Sequence, residues 1–206
     1  MATRVQRALR PAPPRDALSD ADIARLAQHR DPRAATLVWD RYAGVVRGVV
    51  YRTLGPCHEL EDLVHDVFVG FFKNVGTLRD ASSLRPFLVG IALRTVRTTL
   101  RKRRVRHWLR LSDDGNLPEV PTVDSDPRTR EAIRRLHAIL DELDHRGRFA
   151  FVLRHCEGYE LAETAAALRV SLSTVKRTLA QADAHVFSRA RKDDLLSGWI
   201  GEGDHE

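Results

Sequence analysis

The chain reads as all-α, with two small helical domains joined by a flexible linker and a helix-turn-helix in the second domain. Three observations predict this. Apolar residues recur at three- and four-residue spacing in segment after segment, and no run alternates with period two. Between Ser112 and Asp126 that periodicity stops, and Gly115, Pro118, Pro121 and several acids take its place. From Tyr159 to Val186 two short helical patterns flank a tight turn. The expected organisation is a basic, disordered arm (1–18), a first domain (19–107), a linker (108–127), a second domain (128–190) and a tail (191–206).

Ser19 and Asp20 supply a cap for a helix running through Gln28. Asp31-Pro32 begins the next, with proline at the first helical position. Its apolar side is Leu37, Val38, Val45, Val46, Val49 and Val50, and Gly55-Pro56 ends it. A third helix spans about Glu59 to Asn74. Its apolar pairs Leu63-Val64, Val67-Phe68 and Phe71-Phe72 recur every four residues and make a broad buried stripe. After a polar stretch, a fourth helix begins near Leu84. It is lined by Phe87, Leu88, Ile91, Ala92, Val96 and Leu100, and it runs into a basic cluster ending near Arg106. Beyond the linker, Ile133, Leu136, Leu140 and Leu143 mark one helix and Phe149 to Cys156 another, ended by Gly158. The tail from Lys192 is expected to pack loosely through Trp199 and Ile200.

In the helix-turn-helix, Leu161, Ala165 and Leu168 stack on one side of the first helix, and Val170 closes the turn. Ser171 or Ser173 caps the second helix, whose apolar side is Val175, Leu179 and Ala182. Its other side carries Ser173, Thr174, Lys176, Arg177 and Gln181, which are ligands for phosphates and base edges in a major groove. Arg169 stands where such turns prefer glycine; in a left-handed conformation that costs on the order of 1 kcal/mol. Read without other context, the same pattern also fits a plain αα-hairpin with a solvated face.

The 206 residues hold 34 Lys+Arg against 28 Asp+Glu, a formal charge of +6 that suits a polyanionic partner. Part of the excess is concentrated. Arg94, Arg97, Arg101 and Arg104 fall along one helical face, and like charges at that spacing repel unless an anion lies against them. Glu59, Glu61, Asp62 and Asp66 gather at the start of the third helix, where they serve either the helix dipole or a docking surface for a protein.

Two cysteines far apart fit a reducing compartment, which points to a cytoplasmic protein. No run of eighteen apolar residues predicts membrane insertion, and the proline-bearing N-terminus does not read as a signal peptide. His58 and His65 do not form HExxH, and no phosphate loop or nucleophile elbow is present. The expectation is therefore no enzymatic activity, no cofactor and no metal.

Four segments in order, "DPRAATLVWDRYAGVVRGVVYRTLG", "ELEDLVHDVFVGFFKNV", "SLRPFLVGIALRTVRTTLRKRRV" and "YELAETAAALRVSLSTVKRTLAQADAHV", resemble a bacterial RNA polymerase sigma factor of the sigma-70 family, extracytoplasmic-function (ECF) type. The most specific parts are "EDLVHDVF" and "STVKRTLAQADAHV". The resemblance implies that Asp62, Leu63, His65, Asp66 and Phe68 bind the coiled-coil helices of the polymerase largest subunit. It implies that the loop from Val75 and the helix after it open and read the promoter −10 element, with Arg85, Phe87, Arg94, Arg97, Arg101 and Arg104 on the DNA. It implies that Ser173, Thr174, Lys176 and Arg177 read the −35 element. The chain departs from the family's common residues at His65-Asp66 (often Gln-Glu), Phe87 (often Trp), Arg94 (often Asn) and Thr98 (often Asp). The implied partners are core RNA polymerase, promoter DNA and an anti-sigma factor. The rival is a stand-alone helix-turn-helix repressor or activator whose first domain dimerises or senses.

Overall fold

Residues 18–108 and 127–200 are described by a computed structural model. Most of the expected arm and linker, and the chain beyond 200, lie outside these residues. Helix α1 (Asp20–Gln28) starts where sequence places it. The Ser19 hydroxyl accepts from the Asp22 amide at 3.1 Å, and the Asp22 carboxylate accepts from the Ser19 amide at 3.3 Å, a reciprocal cap built with Asp. Helix α2 (Arg33–Leu54) begins one residue after Pro32, which stands at the cap itself. It ends at Gly55, whose φ of 77° is open to glycine. Helix α3 (Leu60–Asn74) and helix α4 (Leu84–Trp108) complete the first unit, joined by two 3₁₀ turns, Val75–Thr77 and Ala81–Ser83.

The apolar stripes named above meet. Val38, Val46, Val49 and Val50 of α2, Val64, Val67 and Phe71 of α3, and Leu84, Leu88, Ala92 and Val96 of α4 are buried in one core. Helices α5 (Pro127–Asp141), α6 (His145–Phe151), α7 (Leu161–Leu168), α8 (Leu172–Ala190) and α9 (Ser197–Ile200) follow. Their own core joins Ile139, Leu140, Phe151, Val152, Ala182, Val186 and Ala190.

Two differences from the sequence reading have local causes. Helix α6 starts four residues before Phe149, because the Asp144 carboxylate accepts from the Gly147 amide at 2.7 Å and caps it. The end of the same segment is a π turn, Val152–Cys156, in which the Glu157 amide donates to the Val152 carbonyl at 3.0 Å. The start of the tail is packed, while the side chains of Trp199 and Ile200, expected to pack loosely, lie outside the described residues. Leu196 is buried in the second core, and the Asp193 carboxylate accepts from the Leu195 and Leu196 amides and from Arg135.

The two cores also touch. Phe149, Leu153, Tyr159 and Ala167, all from the second half of the chain, are buried within the first core. Just after the π turn, Glu157 pairs with Arg52 of α2 and Tyr159 lies under Arg85 of α4.

Candidate polymerase and nucleic-acid interfaces

The acidic start of α3 divides. Glu61 is held against α2 by Arg47, whose Nε and Nη2 donate to its two oxygens at 2.7 and 2.8 Å, and this pairing lowers the Glu61 pKa. Asp62, His65 and Asp66 are exposed, whereas Leu63 and Phe68 are buried. His65 also borders an open cavity of about 1020 Å³, lined in part by Trp39, Asp40, Phe68, Val69 and Phe72. The Trp39 ring sits 4.8 Å from that of Phe68, and Trp39, Val69 and Phe72 are exposed by 37–40 %. Large apolar side chains grouped at the surface mark an interaction site. Sequence reasoning missed Trp39. The available signal was that Ala34, Val38 and Tyr42 define the buried stripe of α2, and Trp39 lies off it.

The loop before α4 is anchored from behind. Gln28 Nε2 donates to the carbonyls of Val75 (3.3 Å) and Leu78 (2.8 Å). The Asp80 carboxylate accepts from the Ser82 amide and from the Ser82 and Ser83 hydroxyls at 2.7–3.0 Å, which holds its pKa low. The loop leads into a polar cavity of about 420 Å³ lined by Asn74, Thr77, Phe87, Ile91, Arg94, Thr95, Thr98 and Arg169. None of these is an acid. Phe87 forms part of its wall, tilted edge-on to Phe71 with centroids 6.2 Å apart. Partial burial, and then the nearby charge of Arg169, lower the Arg94 pKa. Arg94, Arg97 and Arg101 are exposed along α4; Arg104 lies on the same helix, but its side chain is outside the described residues. Arg85 is placed differently: its guanidinium lies over the Tyr159 ring, 5.1 Å from the centroid. Burial pushes the Tyr159 hydroxyl up to about 12.

In the second unit, Glu160 and Glu163 form a reciprocal cap on α7, with the Glu160 amide donating to Glu163 at 2.8 Å. Arg169 takes the left-handed conformation, φ 56° and ψ 47°, and the Val170 amide returns to the Ala165 carbonyl at 3.1 Å. Ser171, not Ser173, caps α8, accepting from the Thr174 amide at 3.3 Å. Val175, Leu179 and Ala182 are buried, while Ser173, Lys176, Arg177 and Gln181 are exposed and Thr174 is half-buried. This is a helix-turn-helix with a basic outer face.

Two family models match the chain: Sigma-70 region 2 over residues 38–106, and Sigma-70, region 4 over residues 133–185. Together they cover more than half of it. The chain belongs to the sigma-70 family of RNA polymerase sigma factors, in its ECF group. It is similar to the RNA polymerase sigma factor NccH of Alcaligenes xylosoxydans xylosoxydans, with 27 % identity covering 80 % of this chain and 91 % of the relative. It is equally identical, 27 %, to the ferric citrate uptake sigma factor FecI of Escherichia coli, covering 72 % and 86 %. Its fold is similar to that of CnrH in complex with the cytosolic domain of CnrY (TM-score 0.65, 24 % identity, 85 % of this chain and 99 % of that one). It is also similar to that of the sigma factor RpoE from Bartonella quintana in complex with the anti-sigma factor NepR (TM-score 0.57, 19 % identity, 75 % and 95 %).

Proposed function

We propose that this sigma factor grips core RNA polymerase through Asp62, His65, Asp66 and the apolar cavity beside them, shaped by Leu63 and Phe68. It reads the −10 element with α4 and the loop before it, and the −35 element with α8. Phe87 walls the pocket for an unstacked base, and Arg94, Arg97, Arg101 and Arg104 track the strand's phosphates. Arg85 joins that track once released from Tyr159. Ser173, Thr174, Lys176 and Arg177 enter the major groove.

The observation that carries this reading is a division of labour within the first domain: no residue lines both the aromatic cavity beside the acids and the acid-free cavity on α4. One surface suits a protein partner and the other a polyanion. We assign the domains to 19–107 and 128–190, place the protein in the cytoplasm, and assign no covalent chemistry to it; binding to unpaired bases holds the strands apart. An anti-sigma factor is a further partner, supported by the similarity in fold to CnrH and RpoE, both captured with such proteins or their partner's domain.

Transcription in vitro with core polymerase and a promoter library tests the reading. The expected result is polymerase-dependent initiation, weakened when Asp62 and Asp66 are both changed to Ala. Tight binding of a palindromic duplex by a dimer, without initiation, would establish the repressor alternative instead.

A further inference from the structure

Arginines across this fold meet carboxylates. Arg41, Arg47 and Arg52 of α2 and Arg135, Arg148 and Arg189 of the second unit each pair with one. Four others do not, and they converge. Arg94 and Arg97 of α4, Arg146 of α6 and Arg169 of the helix-turn-helix border one cavity of about 310 Å³ between the two units, with His145 and Thr174 beside them. Among the described residues none of these four arginines has an ion pair, and no carboxylate lines the cavity. Asp144, next to His145 in sequence, is engaged elsewhere: its carboxylate caps α6 through the Gly147 amide.

Two further observations point to an anion. His145 Nε2 is buried and has no hydrogen-bond partner among the described residues. Like charges are also pressed together. Burial, and then Arg169, lower the Arg94 pKa; burial, and then Arg97, lower that of His145. Gathered cations without a counter-charge are a cost the folded chain carries. An anion in the cavity reverses it, accepting from the guanidinium groups, the Thr174 hydroxyl and a protonated His145 Nε2.

The walls decide which anion. The turn approaches α4 so nearly that a Cβ added at Gly90 would stand 3.3 Å from the Ala167 carbonyl oxygen. Leu93, Phe149 and Leu168 add apolar wall. A duplex is far too wide for this space, whereas a short chain of phosphates fits it and carries several negative charges to match the arginines.

We propose that this cavity binds a compact molecule with two or more linked phosphates, held between the two units by Arg94, Arg97, Arg146, Arg169 and His145. The site itself is independent of the promoter reading. Only its consequence rests on that reading: bound ligand withdraws Arg94 and Arg97 from the −10 strand, which makes the cavity a chemical input to promoter recognition.

Titration calorimetry of the full chain with inorganic tripolyphosphate and with pyrophosphate, without polymerase or DNA, tests the proposal. Salt at about 0.15 M screens diffuse attraction. The expected result is saturable one-to-one binding, tighter for tripolyphosphate. Arg146→Ala and Arg169→Gly should each weaken it about tenfold, whereas Lys176→Ala, which removes the same charge from the outer face of α8, should leave it unchanged. Both weakening variants keep the fold, since Arg146 is exposed and glycine suits the left-handed position at 169; thermal melts check this. No saturable binding of either probe overturns the site. Binding that Arg146→Ala or Arg169→Gly leaves unchanged, or that Lys176→Ala weakens as much, overturns the cavity as its seat and marks diffuse attraction to a basic protein. A short DNA single strand that binds and loses affinity in Arg146→Ala, while neither phosphate probe binds, assigns the cavity to nucleic acid and overturns the small-molecule ligand. None of these outcomes reads initiation, so failure of the function assignment, wild-type protein that never initiates with core polymerase, stays distinct.

Discussion

Arg148 of α6 donates from Nη1 to the carbonyl of Thr53 on α2 at 3.2 Å, with its guanidinium almost fully buried. The same group donates from Nε to the Leu140 carbonyl at 2.9 Å and pairs with Asp141 at 2.6 Å. It therefore ties the last turn of α2 to two elements of the second unit.

The two ends of that ion pair differ in weight. Arg148→Ala leaves buried carbonyls unpaired as well as a cavity, and should destabilise the protein by about 3 kcal/mol. Asp141 is two-thirds exposed, so Asp141→Asn should cost less than about 1 kcal/mol. Urea denaturation of the two variants checks the asymmetry.

His137 predicts an acid sensitivity. Burial lowers its pKa to about 4 from an ordinary 6.5, with Asp141 opposing and Arg148 reinforcing the shift. Its ring packs edge-on to Tyr51, centroids 5.9 Å apart, and against Gly55. Above pH 6.5 the ring is neutral in both folded and unfolded chains, and its contribution to stability is complete. Between 6.5 and 4 only the unfolded chain takes the proton, so stability falls with pH, by about 3 kcal/mol in all. His137→Phe should flatten this slope in melts taken across that range.

The turn of the helix-turn-helix carries a removable strain. Arg169 at φ 56° pays the left-handed penalty and faces Arg94. Arg169→Gly should stabilise the protein by about 1 kcal/mol. Ser171→Ala, which removes the α8 cap, should destabilise it by about 1 kcal/mol. Thermal denaturation gives both signs.

The outer face of α8 should separate into phosphate and base contacts. If Lys176 meets a phosphate, Lys176→Ala lowers the salt dependence of binding by about one unit of slope on every promoter. If Arg177 meets a base edge, Arg177→Ala costs about 1–3 kcal/mol on the −35 element and relaxes its preference there. Salt titrations on matched and mismatched promoters with holoenzyme distinguish the two.

The aromatic cavity has its own test. Trp39→Ala with Phe72→Ala should weaken polymerase binding at least as much as the paired Asp62 and Asp66 changes, because anchoring aromatics dominate docking energies. Pull-down with core polymerase reads it, and unchanged capture would remove the cavity from the interface.

Much of this was legible residue by residue. The Ser19 cap, the Gly55 stop, the four-residue apolar repeat of α3, the left-handed Arg169 and the exposed face of α8 all follow from neighbours within a turn or two. The cap at Asp144 is equally local. The proposed polymerase surface was half legible: the acids of α3 stand out in sequence, but whether each is free depends on Arg47, which claims Glu61 from another helix.

The amino-acid order alone therefore determined the helices, their ends, their buried stripes and the family, because capping and periodicity act over a few residues. Only the tertiary structure decided that Trp39 is exposed, that Arg85 covers Tyr159, and that α7 seats itself on α4. Those outcomes depend on contacts between side chains far apart in the chain, such as Arg52 with Glu157, whose meeting no local propensity encodes.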